Sequence, residues 1–537
     1  MQLRTPLGLY ASRSPLPDLS RDLEMVHATT EMIRVNGLQA EATLSAGGEL
    51  QWRLDGSGEQ SLAIESEVLG FSSEGREITV RGYVNEPRSG EGELGKRVRK
   101  DFVLVMPTEV VAESWSDRIR DFINSLGRPK RVFIILNPYG GKRSARKIFD
   151  TEIKPLLVAA NIMYTLQETK YQLHAQELAY KLDLLKYDGI VCVSGDGVFV
   201  EVVNGLLQRE DWDTAIKVPL GIIPAGTGNG LAKSLLDAVG EMYSIQNATF
   251  AVIRGHIHFS WLWFLSALLL NFSSLSLLFN HTGHKRALDV TTVLQGETKF
   301  FSILMLTWGL IADIDIESEK YRWMGSTRLD FYCVLRIMKL RKYHGHVEFV
   351  PAPGHELYGE PMKDRAICIG TDDVSEKGQN CVAEVLQGSY QGPSVCFEKS
   401  DWRFLEGPFV TISLVNVPWV GEDAMPAPEA KFSDGFLDLV MIKDCPKSAL
   451  LSILLKIKDG SHVKSPYVMY LKVKAFKLVP GNRVGDPTKG GIVDVDGEVV
   501  ARGEGIDLCG QEGDLMAYGP PIQLTVDKGL ATVFSPR

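Results

Sequence analysis

The sequence predicts an α/β plus all-β chain: a doubly wound α/β domain, then an antiparallel β-sandwich, with a β-rich extension ahead of both. Three observations carry this. Three apolar strands each run into a glycine-rich turn and then a helix, between Val132 and Leu236. From Arg286 onward short strands and turns dominate. Between Thr30 and Met106, β-like stretches separated by Gly, Ser and Glu turns lead into a single helix.

Residues 1–25 read as a loose leader, broken by Pro6, Pro15 and Pro17 and lacking a secretory apolar core. Gln2 and the Phe-Ser-Pro-Arg end offer no lipidation motif. Strands are expected at Glu41–Leu44, Glu49–Arg53, Arg76–Tyr83 and Phe102–Val105. The helix from Glu113 to Leu126 puts Trp115, Ile119, Phe122, Ile123 and Leu126 on one face. In outline this extension, 1–127, resembles a pleckstrin-homology-like module.

The α/β domain is expected over 128–256. Its strands are Val132–Leu136, Tyr187–Val193 and Val218–Ile223, with helices at Ser144–Phe149, Phe199–Gln208 and up to Leu236. The turns between them read Asn137-Pro-Tyr-Gly-Gly-Lys142, Ser194-Gly-Asp-Gly197 and Pro224-Ala-Gly-Thr-Gly-Asn229. In an open α/β sheet, ligands bind at the carboxyl ends of the strands, where these turns sit. The sandwich, 285–537, is expected to use strands at 300–306, 347–350, 409–417, 437–443, 470–478, 491–495 and 522–526, a helix at 448–458 and a surface insert over 351–407.

Bulk properties narrow the function. A net charge of −9 over 537 residues argues against nucleic acid as a partner. Seven scattered cysteines without a C-x-x-C pair fit reduced thiols and give no metal framework. The glycine turns are neither a Walker A loop, since Lys142 is followed by Arg143, nor a G-x-G-x-x-G fingerprint. Glycine-lined helix N-termini hold anions, so the turns point to phosphates. Asp196, between two glycines at a strand end, is either a cap for its own helix or a reacting carboxylate. Moving a phosphoryl group to an alcohol needs such a carboxylate beside the hydroxyl. Glu201 lies on the same helix and would help position nucleotide or metal.

Ser194-Gly-Asp-Gly197 with Glu201-Val-Val-Asn-Gly-Leu206, and Pro224-Ala-Gly-Thr-Gly-Asn229, resemble the diacylglycerol-kinase-type catalytic domain of sphingosine, ceramide and diacylglycerol kinases. Trp308 to Arg322 and Asp494-Val-Asp-Gly-Glu498 resemble the sphingosine kinases in particular, in their plant long-chain-base form. The resemblance runs from about Arg131 onward; the N-terminal 110 residues match only the plant-like subgroup. It implies an ATP-dependent kinase of the primary hydroxyl of a sphingoid base, with Mg²⁺ accompanying ATP and metal ligands unknown. Asp196 would be the base, with Ser194, Gly195 and Gly197 beside the substrate. Asn137, Pro138, Tyr139, Thr169, Glu201, Ala225, Gly226 and Thr227 would line the ATP site. Arg322 and Arg328 would reach its phosphates, and Asp496, Gly497 and Glu498 would close it from the second domain. Asp315 would hold the amino and hydroxyl head of the lipid. Three positions depart from the animal pattern: Tyr139 stands where an Arg is common, Val200 where a His is common, and Met305 where a head-group Ser is found. Ceramide or diacylglycerol kinase is the alternative within this chemistry; a non-catalytic lipid sensor is the alternative outside it.

Two segments bear on membranes. Phe331 to Tyr343 is expected as a basic amphipathic helix, either a docking face for anionic membrane or calmodulin or a cover for the lipid pocket. Phe259 to Phe279 carries no charge over 21 residues. As a helix it would be about 31 Å long, enough to cross a bilayer. A single span would put Asp196 and Asp315 on opposite sides of the membrane, so the site could not close. The resemblance implies that relatives pass directly from Arg254-Gly-His256 to Lys285-Arg286, which makes 257–284 an insertion: a gene-model artefact or tolerated loop, an interfacial or re-entrant membrane anchor, or a true span. The expectation for the whole is a cytoplasmic enzyme, peripherally associated with an endomembrane or vacuolar surface.

Overall fold

The structure, a computed structural model, describes residues 28–54, 58–85, 97–141, 143–255, 285–324, 327–362, 388–395, 397–504 and 514–535. The apolar stretch at 259–279 and the leader lie outside them. Among the described residues no helix is long and apolar enough to cross a membrane. The chain divides into two units, the first comprising the described residues up to 85 together with 97–126, the second the described residues from 127 onward.

In the first unit, alternating apolar residues pair seven antiparallel strands in the order β4-β3-β2-β1-β7-β6-β5. These are β1 (Thr29–Val35), β2 (Leu38–Leu44), β3 (Glu49–Leu54), β4 (Glu59–Ala63), β5 (Val68–Glu74), β6 (Glu77–Asn85) and β7 (Arg97–Val105). Helix α1 (Glu109–Ser125) begins a turn earlier than its apolar face suggests, because the Thr108 side chain accepts from the Val111 amide. Its Trp115 and Ile119 are buried in one core with Trp52, Phe102 and Leu104. The β-rich extension closed by a Trp-bearing helix is therefore present.

The second unit opens with four parallel strands in the order β9-β8-β10-β11: β8 (Arg131–Leu136), β9 (Met163–Glu168), β10 (Gly189–Ser194) and β11 (Leu220–Pro224). β8, β10 and β11 are buried along nearly their whole length, the mark of strands covered on both faces. Ala145–Ile148, Phe149–Ile153 and Lys154–Ala159 form one continuous helix, α2, with a π-helical middle. α3 (His174–Lys181) and α4 (Asp196–Leu207) cover the face of Phe133, Ile135, Ile190 and Cys192. α5 (Gly230–Asp237) follows β11, and α6 (Ile245–Ile253) brings Val252 to the opposite face, beside Val191 and Gly221.

The remaining strands are β12 (Lys285–Gln295), β13 (Thr298–Ser302), β14 (Met305–Gly309), β15 (Tyr343–Pro351), β16 (Glu360–Pro361), β17 (Arg403–Phe409), β18 (Thr411–Val415), β19 (Leu437–Ile442), β20 (Met469–Arg483), β21 (Lys489–Val495), β22 (Glu498–Glu504) and β23 (Ile522–Phe534). They pair antiparallel around a core that includes Trp308, Phe349, Phe409 and Phe476. Helices α7 (Leu310–Glu317), α8 (Thr327–Met338) and α9 (Lys447–Leu455) pack outside it.

Several expectations are corrected. The last strand, β23, pairs antiparallel with β12 and β20 and also parallel with β11, so α/β sheet and sandwich share one hydrogen-bonded path. Three glycines make room for it: a Cβ on Gly189, Gly221 or Gly255 would meet the Phe534 ring at 2.6, 3.2 or 2.2 Å. The single strand expected at 300–306 is two, broken at Ile303 and Leu304, whose amides are taken by Asp496. α4 starts at Asp196 rather than Phe199. The helix expected at Phe331–Tyr343 is α8, ending at Met338, and Tyr343 already belongs to β15. The end of the supposed surface insert is structural. β17 pairs with β15, and Tyr390 packs on Trp212 and Phe301 while donating to Asp527.

Candidate active site

The three glycine turns meet at the carboxyl ends of β8, β10 and β11, and they meet backbone to backbone. A Cβ on Gly226 would lie 2.3 Å from the Gly195 Cα. One on Gly141, which has φ +54°, would lie 3.0 Å from the Gly226 carbonyl carbon. The Ala225 amide donates to the Ser194 carbonyl (3.0 Å) and the Asp196 amide to the Gly228 carbonyl (3.2 Å). Asn229, buried, locks the third turn by donating to the Gly226 carbonyl (3.0 Å) and accepting from its amide (3.3 Å). The glycines thus serve first to let the turns approach one another. Gly197 alone among these faces open space.

Asp196 does not cap its own helix. Its carboxylate accepts from the amides of Gly230 (2.6 Å) and Leu231 (3.2 Å), the first residues of α5. α5 has no cap of its own, since Asn229 makes no side-chain bond there. The positive end of α5 therefore faces a buried carboxylate. Burial pushes Asp196 up to about 7, the two amides work against this, and the charge of Asp496 adds to it.

Glu201, one turn further along α4, does the same for α3. Leu173 at the N-cap has φ +65° and offers no side chain, and Glu201 accepts from the Ala175 amide (3.1 Å). Burial raises its pKa, against the bonds from the Leu173, Ala175 and Gln176 amides. Of the other expected nucleotide-side residues, Asn137 accepts from the Tyr139 amide (2.9 Å) across Pro138. Tyr139 is exposed. Thr169 is buried, its amide bound to the Leu136 carbonyl (2.8 Å). Ser194 is buried and donates to the Gly195 carbonyl (2.8 Å).

On the sandwich side, Asp496 (φ +53°) and Gly497 (φ +87°) form the tight turn between β21 and β22. The Asp496 carboxylate turns inward. It accepts from Ser302 Oγ (2.9 Å) and the amides of Ile303 (3.1 Å), Leu304 (2.9 Å) and Met305 (2.9 Å). Glu498 is exposed and its charge acts on Glu201, which brings the turn near α4. Trp419 ties the halves together: its backbone exchanges hydrogen bonds with Ser234 Oγ, and its indole donates to Asp237 (3.0 Å), both on α5.

Helix α7 carries three carboxylates with different employment. Asp313 is fully buried and accepts from Arg336 Nη2 (2.8 Å) and Tyr343 Oη (2.8 Å). Glu317, one turn on, accepts from Tyr332 Oη (2.6 Å) and Arg341 Nη1 (2.7 Å). Asp315, between them, belongs to neither network; burial raises its pKa and Arg328 lowers it. Arg328 is buried and its Nη1 has no hydrogen-bond partner among the described residues. Arg322 falls within the 3₁₀ stretch Ser318–Met324, and its side chain lies outside what is described.

The structure thus gathers Asp196, the three turns, Asp496 and Glu498 at one place, and holds Asp315 beside Arg328. Sequence reasoning gave no role to Asn229, Asp313, Asp494 or Arg336. Each had a local signal: Asn229 ends the third turn, Asp313 and Asp494 lie within the Trp308–Arg322 and Asp494–Glu498 motifs, and Arg336 lies in the basic stretch. Lys342 pairs with Asp444 (2.6 Å), so with Arg336 and Arg341 much of the basic character expected at 331–343 is used internally.

Comparison with known proteins identifies relatives of both halves of the second unit. The diacylglycerol kinase catalytic domain matches residues 131–259, and the YegS C-terminal NAD kinase beta sandwich-like domain matches 400–504. The chain is 50% identical to sphingosine kinase 1 of Arabidopsis thaliana over 511 residues, 95% of this chain and 96% of that one. It is 32% identical to human sphingosine kinase 1, covering 70% of this chain and 87% of the relative. Human ceramide kinase is 28% identical over 69% of this chain and 66% of its own length. The chain belongs to the sphingosine kinase family.

Proposed function

We propose that this protein is an ATP-dependent lipid kinase that phosphorylates the primary hydroxyl of sphingosine and related long-chain bases, giving the 1-phosphate. The observation that carries the reading is Asp196: a buried carboxylate, held by two amides at a helix N-terminus where three glycine turns converge. The lipid hydroxyl oxygen attacks the γ-phosphorus, the bond from that phosphorus to the leaving diphosphate breaks, and the hydroxyl proton passes to Asp196. A carboxylate pushed up to about 7 suits that proton transfer near neutral pH.

Asn137 to Tyr139, Thr169, Ala225 to Thr227, Gly497 and Glu498 would line the nucleotide. Arg328, whose Nη1 has no hydrogen-bond partner among the described residues, suits a phosphate oxygen, and Arg322 would join it. Glu201 and Asp496 act by position: one holds α3, the other the loop between β13 and β14. Mg²⁺ would come with the ATP phosphates. Among the described residues no group of three or more His, Cys, Asp or Glu is placed to hold a metal. Residues 1–127, 128–256 and 285–537 are assigned as extension, catalytic domain and lipid-binding sandwich, with 257–284 as an insertion.

Asp315 favours the free base over ceramide or diacylglycerol, because a carboxylate matches an ammonium that those lipids lack. The substrate lives in membranes, and α8 turns Phe331, Val334 and Met338 outward, 43%, 49% and 67% exposed. This apolar face, rather than a basic one, is assigned to peripheral contact with a cytoplasmic membrane surface. A radiolabelled-phosphate assay with sphingosine, ceramide and diacylglycerol side by side tests the function. Transfer to sphingosine is expected to dominate; none to any lipid would leave only lipid sensing. Run on vesicles, serine at Phe331, Val334 and Met338 together is expected to lower the rate, while activity on detergent-dispersed substrate holds. Equal loss in both would refute the membrane assignment.

A further inference from the structure

Asp494 is a fully buried carboxylate to which the function proposed above gives no role. On β14, β18 and β21, Leu306 and Trp308, Ile412 and Leu414, and Val493 and Val495 point into the sandwich core. The residues between them point to the other face. There Thr307 sits in register with Ser413 on one side and Asp494 on the other. A row of three polar side chains, Ser413–Thr307–Asp494, therefore crosses three strands, each residue at most 6% exposed. Burying such a row costs free energy unless each group finds a partner.

Thr307 Oγ1 donates to Asp494 Oδ2 (3.2 Å), while Oδ1 has no hydrogen-bond partner among the described residues. α7, which carries Asp315, packs on these same three strands. Burial pushes Asp494 well above the usual carboxylate range; Asp315, Asp496 and Glu498 push the same way and Thr307 against. The charges that act on it most are thus three carboxylates. Asp315 by contrast has Arg328 beside it. Among the described residues the charges acting most strongly on Asp494 are acidic, so a cationic group of a ligand would be stabilised beside it.

We propose that Asp494 is a second head-group residue, taking the ammonium and adjacent secondary hydroxyl of the sphingoid base against Asp315, with Thr307 and Ser413 as the floor of the pocket. This rests on the function proposed above. It gives each polar group of the head a place: Asp196 for the primary hydroxyl, Asp315 and Asp494 for the amine and the second hydroxyl. It also makes discrimination against an N-acylated lipid a property of two carboxylates rather than one.

The test is Asp494→Asn in the full chain, which keeps the shape and an acceptor for Thr307. The KM for sphingosine is expected to rise about tenfold, with the KM for ATP within about twofold and the preference for sphingosine over ceramide reduced by a similar factor. Tm is expected to hold or rise, because a buried charge is removed. An unchanged sphingosine KM overturns the proposal, as does a parallel rise of both KM values with a falling Tm, the signature of a purely structural residue. If Asp494→Asn does not accumulate, Asp494→Ser is read by the same criteria; failure of both to fold assigns Asp494 to structure and also overturns it. Wild-type protein that transfers no phosphate to sphingosine would sink the function itself, a distinguishable result.

Discussion

The two halves of the site are built from different materials. The α/β half uses backbone: glycines that let three turns touch, and helix N-termini that hold Asp196 and Glu201 through amides. The sandwich half uses buried charge: Asp313 with Arg336, Glu317 with Arg341, and Asp494 among its acidic neighbours. Backbone amides fix a carboxylate's geometry without needing a charged side chain as its partner. Charge pairs hold a helix such as α7 at a set angle but leave it dependent on each partner. The first half resembles a rigid anvil, the second a clamp whose grip is electrostatic.

Three substitutions probe this contrast. The largest effect is expected from Asp196→Asn, the one carboxylate on the backbone-built side assigned to chemistry. Its removal as a base lowers kcat by about 10²–10⁴-fold. Circular dichroism should remain native, since Asn can still accept from one of the two amides. The wild-type rate should also fall as pH drops below about 7, where Asp196 protonates and can no longer accept the proton. The variant's residual rate should lack that limb. A wild-type profile flat across this range would remove Asp196 as the titrating base.

Arg336→Ala tests the clamp. It leaves Asp313 buried with only Tyr343 and, at 3.6 Å, Arg341. A loss of about 3–5 kcal/mol in urea unfolding is expected. A loss below about 1 kcal/mol would mean that the network is not what seats α7. Gly226→Ala tests the anvil, with the smallest expected cost, about 1–3 kcal/mol, because two turns must separate to admit one methyl. The informative readout is the KM for ATP, which should rise more than the KM for sphingosine. Equal changes would mean that the turns do not shape the nucleotide side.

The same contrast explains what could be read beforehand. Glycine turns at strand ends announce themselves in a single sequence, so the α/β half and Asp196 were legible. β9 was not, because its partly exposed edge position carries no apolar run. The employment of Asp196 was hidden as well, since the helix it serves lies 34 residues on. In Ile311-Ala-Asp-Ile-Asp-Ile-Glu317 nothing local separates the buried Asp313 from Asp315. Only the arrival of Arg336 and Tyr343 from distant elements decides it. In the basic stretch at 331–343 the pairing of Arg336 and Arg341 could not be read for the same reason: their acidic partners on α7 come from a separate element.

The strand shared by the two halves has a consequence in time. β11 waits for β23, the Leu220–Val533 pairing, across about 300 residues of intervening chain. At a synthesis rate of about 5–20 residues per second, that delay is roughly 15–60 s. Until then one edge of the nucleotide-side sheet is unpaired and the hollow beneath Gly189, Gly221 and Gly255 has no phenyl ring to fill it. The newborn chain thus passes through a window in which its catalytic half is made but unsealed, and chaperone dependence should be sought there.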